Sequence, residues 1–147
     1  MKRKTTEAGF SLMELLVVMT ILGLLAGVVA VSLTGRVDKE KRRTAKLQIA
    51  NFEEALDMFH LDVGRYPTTE EGLMALIEKP ASVDNWGGRY LKKDIPKDPW
   101  RNDYVYRSPG EENRDYEIMS YGMDGAPGGD GNNQDITSWQ DLDTPSK

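Results

Sequence analysis

An unbroken apolar run from Phe10 to Leu33 constrains this chain most, because its only ionisable side chain is Glu14. An α-helix rises about 1.5 Å per residue, so a run of this length can cross a hydrocarbon core of about 30 Å. A carboxylate in lipid costs roughly a few kcal/mol and usually faces a partner. We therefore expect a single membrane pass in which Glu14 is functional. The alternative is that Glu14 lies near the lipid headgroups and is merely solvated.

A polar leader, MKRKTTEAG over residues 1–9, precedes the run. An ordinary signal peptide has an apolar stretch of roughly 7 to 15 residues, followed by a cleavage site of small residues. The run here is longer, and residues 30–32 (AVS) offer only a weak site, so we interpret it as a stable anchor. Basic residues flank both ends, so the positive-inside rule does not fix the orientation.

The composition excludes several classes of function. The chain has no cysteine, so disulfides and thiolate chemistry are absent, and its net charge of −5 disfavours nucleic acid as a partner. No paired nucleophile and base stands in a recognisable context, and neither does a phosphate-binding glycine loop, so we predict no catalysis. The single His60 has no second histidine or cysteine with which to bind a metal, which indicates a structural or exposed residue.

The residues after the run predict a helix over 34–63 that continues the membrane helix, because apolar positions recur in alternating steps of four and three. Gly64 ends this pattern and Pro67 prevents its renewal. The apolar stripe consists of Ala45, Ile49, Phe52, Leu56, Phe59 and Val63. The opposite side, which we expect to be solvated, carries Lys46, Glu53, Glu54 and Asp57.

The remainder predicts a small mixed domain. Thr68 and Glu71 form a capping box that opens a second, shorter helix, and two segments, 104–107 and 116–121, are strand candidates separated by a loop of turn-forming residues. We expect an antiparallel pair that packs against the long helix, which gives the fold class α+β. Three anchors onto the core are predicted in the irregular stretch 81–99: Trp86, Tyr90 and Leu91.

A polar, glycine-rich segment over residues 123–139 carries a second chemical signal. Its composition alone favours a flexible loop, but Ile136 and Trp139 could pin its end onto the domain. Oxygen-only ligands select Ca²⁺ or Mg²⁺ over zinc or copper. Such donors recur at Asp124, Asp130, Asn132, Asn133 and Asp135.

Several strings carry a family resemblance. GFSLMELLVVMTILGLLA resembles the N-terminus of type IV pilins and pseudopilins. VGRYPTTEEGLMALIEKP, YLKKDIPKDPWRNDYVYRSPG and YGMDGAPGGDGNNQDITSWQ resemble the major pseudopilins of the type II secretion system. The resemblance covers nearly the whole chain. It implies a type IV pilin-like fold, with a cleaved leader at 1–9, a transmembrane and polymerisation helix at 10–33, and a periplasmic domain at 34–147.

The resemblance also implies roles for individual residues. A prepilin peptidase would cut between Gly9 and Phe10 and methylate the new terminal amine of Phe10. Glu14 would support assembly by approaching the Phe10 amine of a neighbouring subunit. Calcium is the expected cofactor, held by the side chains of Asp124 and Asp135 and by nearby main-chain oxygens. Asp130 and Ser138 are weaker candidate ligands. The family usually has glycine where this chain has Arg101, a departure that concerns one local turn.

The function that the resemblance implies is structural. The chain would be the major subunit of a filament that helps to export folded proteins across the outer membrane. Its partners would be copies of itself, minor pseudopilins, the prepilin peptidase and the inner-membrane assembly platform. The expected location is the bacterial inner membrane, crossed once, with the C-terminal domain in the periplasm. Two alternatives remain, namely a type IV pilus major pilin and a monomeric, membrane-anchored calcium-binding module.

Overall fold

The computed structural model describes residues 11–142, without the side chains of residues 28–36. The predicted cleavage site between Gly9 and Phe10 lies outside the described residues. The chain forms two compact units that divide between Val37 and Asp38, and each is considered by itself.

The first unit is helical in its described part. Helix α1 spans Leu12–Val63 and begins just after Ser11. The hydroxyl oxygen of Ser11 accepts a hydrogen bond from the Met13 N–H at 3.1 Å, and its carbonyl accepts one from the Leu15 N–H at 3.1 Å. Serine is a favoured residue at this position because it satisfies a backbone donor that the first helical turn leaves without a partner.

The apolar side chains at the start of α1 are exposed on every side. Their exposed fractions range from 45% to 87% over Leu12, Met13, Leu15, Leu16, Val17, Val18, Met19, Ile21, Leu22, Leu24 and Leu25. A helix that is apolar all round is typically covered by lipid or by other protein. Within the part of the chain that the structure describes, no helix has both the length and the apolar character needed to cross a membrane.

In the second unit, the C-terminal part of α1 supplies one side of the core. The predicted stripe is confirmed, since five of its members are at most 2% exposed: Ala45, Ile49, Phe52, Leu56 and Phe59. Val63 packs against the same core and is partly buried. The Gly64 N–H donates to the His60 carbonyl at 2.7 Å, and Gly64 adopts a φ of 83°. Glycine reaches this left-handed conformation without steric cost, so α1 ends at the predicted residue.

The capping box forms as predicted, but the helix after it does not. The Thr68 N–H donates to Glu71 Oε2 at 2.8 Å, and the Glu71 N–H donates to Thr68 Oγ1 at 3.3 Å. Arg65 hydrogen-bonds the Glu71 carboxylate and thereby lowers the pKa of Glu71 to about 2. The following element is only a four-residue 3₁₀ helix, Leu73–Leu76. Gly72, at a φ of 59°, separates the turn from this element, so a regular α-helix does not form across it.

A three-stranded antiparallel sheet faces the core. Strand β1 spans Val105–Arg107, β2 spans Glu117–Ser120 and β3 spans Ile136–Thr137, with β2 in the centre. The predicted pair β1 and β2 is confirmed, whereas β3 was not predicted as a strand. Ile118 is 0% exposed and Ile136 is 2% exposed, so both face the core. A short 3₁₀ helix, Gly131–Asn133, precedes β3. The fold class is α+β, as predicted.

Three aromatic or apolar anchors cover the remaining side of the core. Trp86, Tyr90 and Leu91 are partly buried against the core, as predicted. The Trp86 Nε1–H donates to the Ala75 carbonyl at 3.0 Å, and the Tyr90 N–H donates to the Leu76 carbonyl at 2.9 Å. These two bonds join the irregular stretch to the 3₁₀ helix and satisfy the carbonyls of Ala75 and Leu76.

A tight turn around Asp98 places Arg101 in an unfavourable conformation. Asp98 Oδ1 accepts hydrogen bonds from the Trp100 N–H at 3.0 Å and the Asn102 N–H at 2.8 Å. The Asp98 N–H donates to the Asn102 carbonyl at 2.9 Å, which closes the turn. Within it, Arg101 adopts a φ of 75°, a left-handed conformation that crowds its Cβ. The departure from glycine at this position therefore has a structural cost.

We expect the Arg101→Gly variant to be more stable than the parent chain. A left-handed conformation costs a residue with a Cβ roughly 1–2 kcal/mol, whereas the added freedom of glycine in the unfolded chain costs about 0.5–1 kcal/mol. The net gain should be about 0.5–1 kcal/mol, measured as a shift in the urea midpoint. Arg101→Ala keeps the Cβ and is the matched control. A gain of the same size in Arg101→Ala would contradict backbone relief as the cause.

Candidate functional site

The assembly residue predicted from the sequence, Glu14, lies in the first turn of α1. It is exposed and stands among the exposed apolar side chains Leu12, Met13, Leu15 and Leu16. Its position near the helix N-terminus is favourable for a negative charge, because the helix dipole is positive there. Charged groups among apolar side chains usually face a partner of opposite charge. The partner expected from the sequence, the Phe10 amine, lies outside the described residues.

The second predicted site centres on Asp135, directly before β3. Its Oδ2 atom accepts a hydrogen bond from the Gly128 N–H at 2.9 Å. Its Oδ1 atom is buried and has no hydrogen-bond partner among the described residues. Burial raises the pKa of the Asp135 carboxyl, the Gly128 bond opposes this rise, and the charge of Asp124 adds to it.

Asp124 faces solvent at the other end of the loop. Its Oδ1 atom accepts a hydrogen bond from the Ala126 N–H at 3.2 Å, a local turn that leaves the carboxylate accessible. Because Asp124 raises the pKa of Asp135, bringing a cation to these carboxylates would relieve an existing repulsion.

The two weaker candidate ligands are placed differently. Asp130 is exposed and precedes the 3₁₀ helix Gly131–Asn133 without a side-chain capping bond. Ser138 is engaged by the sheet: its Oγ atom accepts from the Ile118 N–H at 3.2 Å, and its own N–H donates to the Ile118 carbonyl at 2.9 Å. The Ser138 hydroxyl therefore supports β2, whereas the Asp130 side chain is accessible to a ligand.

Two glycines let the loop fold back on itself. Gly122 has a φ of 65°, and a Cβ there would lie 2.9 Å from the Asn132 carbonyl oxygen. Gly129 has a φ of 85°, and a Cβ there would lie 2.7 Å from the Asn133 carbonyl oxygen. The Met123 N–H donates to the Asn132 carbonyl at 3.0 Å, which joins the two limbs of the loop. The two limbs of the loop therefore approach each other closely at these glycines.

The side chains of Asp124 and Asp135 supply oxygen donors, the type that hard cations prefer. Among the described residues, no three histidine, cysteine, aspartate or glutamate side chains cluster as a metal site. A cation in this loop would thus have two carboxylates, with main-chain oxygens and water completing the shell, which is within the range that calcium accepts. The orphaned Oδ1 atom of Asp135 is the observation that favours such a ligand, because buried polar atoms normally have a partner.

The structure reveals a set of contacts that the sequence did not predict. Arg42 of α1 donates from Nη1 to the Gly131 carbonyl at 2.7 Å and to the Gln134 carbonyl at 3.3 Å, and from Nη2 to Gln134 Oε1 at 2.8 Å. One turn earlier, Asp38 Oδ2 accepts from the Asn132 amide at 2.8 Å. The limb of the loop that precedes β3 is therefore attached to α1.

Lys46 makes the corresponding contacts one turn later. Its ammonium donates to the carbonyls of Thr137 at 2.6 Å, Ser138 at 3.1 Å and Gln140 at 2.7 Å. We call Arg42 and Lys46, with the carbonyls that they hold, the cationic clasp. The only sequence signal for the clasp is the spacing of Asp38, Arg42 and Lys46 in steps of four, which places them on one helix face.

The contacts of Lys46 contradict the expectation that this side of the helix is fully solvated. Lys46 and Glu53 were expected on a solvated face, but Lys46 is partly buried against the C-terminal segment. Glu53 is also partly buried: burial raises the pKa of its carboxyl, and the charge of Lys46 opposes that rise. The expectation was wrong because the surface beside the apolar stripe is covered by a segment about 90 residues away in sequence. Glu54 and Asp57 are exposed, as expected.

Two family profiles match the chain. The profile described as type II secretion system (T2SS), protein G, matches residues 32–139. The profile described as the prokaryotic N-terminal methylation motif matches residues 4–30. Together they cover the apolar run, the long helix and the domain with the C-terminal loop.

Individual relatives agree with these profiles. A type II secretion system core protein G from Vibrio cholerae serotype O1 is 42% identical over 146 residues, which is 97% of this chain and 99% of the relative. The protein of the same name from Pseudomonas aeruginosa is 41% identical over 141 residues, covering 93% and 98% of the two chains. The crystal structure of the major pseudopilin from enterohaemorrhagic Escherichia coli is similar at a TM-score of 0.60 and 38% identity. That match covers 73% of this chain and 93% of the solved one.

Proposed function

The chain belongs to the family of type II secretion system protein G, the major pseudopilins, and we propose that it assembles through its N-terminal helix into the secretion filament. The observation that carries this proposal is the exposed apolar surface at the start of α1, which contains Glu14. A surface of this size needs lipid before assembly and neighbouring helices after it. Growth of the filament would then drive the export of folded proteins across the outer membrane.

The N-terminal methylation motif and the family membership indicate a membrane-anchored chain with periplasmic exposure. We further propose one pass of the inner membrane over residues 10–33, with the domain 34–147 in the periplasm. The prepilin peptidase would remove residues 1–9 by cutting between Gly9 and Phe10, and would methylate Phe10. The other partners would be copies of the chain, minor pseudopilins and the inner-membrane assembly platform.

The role is structural rather than catalytic. The family consists of structural subunits of a secretion system, and we propose that this chain has no enzymatic activity of its own. Nucleic acid remains an improbable partner because the chain carries a net charge of −5.

Mass spectrometry of the chain, isolated from membranes that contain a prepilin peptidase, tests the proposed processing. We expect a mature N-terminus at a methylated Phe10, and a ladder of oligomers after chemical cross-linking in those membranes. An intact Met1 in the mature protein would contradict the prepilin pathway. A correctly cleaved chain that cross-links only as a monomer would instead favour the membrane-anchored calcium-binding module.

We also propose that the loop of the periplasmic domain binds calcium through Asp124 and Asp135. The support is the orphaned Oδ1 atom of Asp135, the repulsion between the two carboxylates and the close approach of the two limbs at Gly122 and Gly129. Asp130 could contribute a further oxygen, and Ser138 only at the expense of its bond to β2. A bound cation would neutralise the carboxylates and close the loop, so its binding energy would add to the folding energy.

A further inference from the structure

The cationic clasp holds the C-terminal segment on both sides of Asp135. Arg42 holds the carbonyls of Gly131 and Gln134, which precede Asp135. Lys46 holds the carbonyls of residues 137, 138 and 140, which follow it. Asp135 and Ile136 therefore lie between backbone groups that the same helix holds on both sides.

The bonds of the clasp go to the main chain of residues 131, 134, 137, 138 and 140 and to the Gln134 side chain. Hydrogen bonds from charged donors are about twice as strong as neutral ones. The bonds of the clasp to Gln134 and to residues 137, 138 and 140 are partly buried, whereas the bond from Arg42 to the Gly131 carbonyl is exposed. The two limbs are joined by the Met123 N–H bond to the Asn132 carbonyl and by the Gly128 N–H bond to Asp135, and the limb with Asp135 is attached to α1 by the clasp.

We propose that Arg42 and Lys46 are positioning residues for the calcium site: they hold Asp135 in its binding position by attaching its flanking carbonyls to α1. This inference rests on the proposed calcium binding. Arg42 and Lys46 would act by holding the loop backbone, and neither side chain would contact the calcium ion. The affinity for calcium then depends on the fraction of molecules in which the clasp is closed, because only these have Asp135 in place.

Charge alone predicts the opposite effect of removing these residues. A lysine or arginine near a cation site repels the cation, so its replacement by a neutral residue should strengthen binding slightly. A positioning role predicts weaker binding. The sign of the change in affinity therefore separates positioning from electrostatics, and a purely structural contribution would lower stability while leaving the affinity unchanged.

The test is a calcium titration by isothermal titration calorimetry on the full chain in detergent. We expect Lys46→Met to weaken binding about tenfold, because three hydrogen bonds to the segment that follows Asp135 are lost, and Arg42→Met to have a similar effect. Lys46→Arg keeps the charge and the donors, so it should retain most of the affinity. In EDTA, hydrogen exchange of residues 131–140 should be faster in Lys46→Met than in the parent chain.

Lys39→Met and Arg43→Met are the matched controls, because both remove an exposed cation from the same stretch of α1. We expect unchanged or slightly stronger calcium binding in both. Unchanged or stronger binding in Lys46→Met and Arg42→Met would overturn the positioning role while the proposed calcium site stands. The absence of binding in the parent chain would overturn the calcium site itself and this inference with it. Thermal melts of each variant show whether it is folded before its affinity is compared.

Discussion

Replacing Asp124 by alanine is expected to remove most of the stability that calcium gives the domain, with little effect in excess EDTA. At a free calcium concentration 100 times the dissociation constant, binding stabilises a folded domain by about 2.7 kcal/mol. For a domain of this size that corresponds to a melting temperature higher by roughly 10 °C. Asp124 is exposed and makes one local hydrogen bond, so its loss without calcium should cost little.

The Asp135→Asn variant tests the same calcium site, and its expected effect on stability in EDTA differs from its effect in calcium. Burial and the charge of Asp124 raise the pKa of Asp135. An acid whose pKa is raised by folding makes its full contribution to stability at pH values below its unfolded pKa, and this contribution is lost as the pH rises through the folded pKa. At neutral pH the ionised side chain is thus unfavourable, so asparagine should be neutral or stabilising in EDTA while it prevents the gain in calcium.

The measurement is a set of melting curves for the two variants and the parent chain, each in calcium and in EDTA. Asp84→Ala, which removes an exposed aspartate outside the loop, is the control for net charge and should keep the full calcium-dependent gain. An equal loss of stability in calcium and in EDTA would assign Asp124 to a purely structural role.

The sequence predicted those parts of the fold that local patterns determine. The stripe from Ala45 to Val63 lies within one helix, so its period is visible, and Gly64 ends that helix by its own backbone conformation. The reciprocal hydrogen bonds of Thr68 and Glu71 join residues three apart, so the capping box was also predictable. In each case the interacting residues lie within a few positions of one another.

The parts that the sequence did not predict depend on distant contacts. β3 has only two residues, too few for an alternating pattern, and it exists because β2 supplies its partner. Lys46 was expected to be solvated because nothing near it in sequence indicates the carbonyls of residues 137–140. Asp124 and Asp135 were inferred from donor chemistry and from the family resemblance. The orphaned Oδ1 atom and its burial are visible only once the loop is folded.

The Glu14→Gln variant is expected to insert into the membrane and to be cleaved normally, but to lose filament assembly. Glutamine is neutral, so it lowers the cost of placing this position in lipid. In the assembled filament, however, it would leave the Phe10 amine of a neighbouring subunit without its counter-charge. Removing one partner of a buried ion pair costs about 3–5 kcal/mol, which weakens each subunit contact by at least about a hundredfold.

Cross-linking in membranes measures this loss, and fractionation and mass spectrometry of the N-terminus verify insertion and cleavage in the same samples. We expect the oligomer ladder of the parent chain to collapse to monomers in Glu14→Gln, whereas Glu14→Asp, which keeps the charge, should retain a shorter ladder. Glu40→Gln removes an exposed carboxylate from α1 outside the apolar run and should leave the ladder intact.

The surroundings of Glu14 distinguish a carboxylate that pairs with a neighbouring subunit from one that is merely solvated. Glu14 is the only ionisable residue among the exposed apolar side chains at the start of α1, so no neighbouring side chain of the run can take over its charge. If the carboxylate were merely solvated near the headgroups, its neutralisation would leave the apolar surface and hence assembly unchanged. A full-length ladder in Glu14→Gln would therefore show that apolar packing alone joins the subunits. Loss of the oligomer ladder with normal cleavage would show that the Glu14 carboxylate pairs neighbouring subunits.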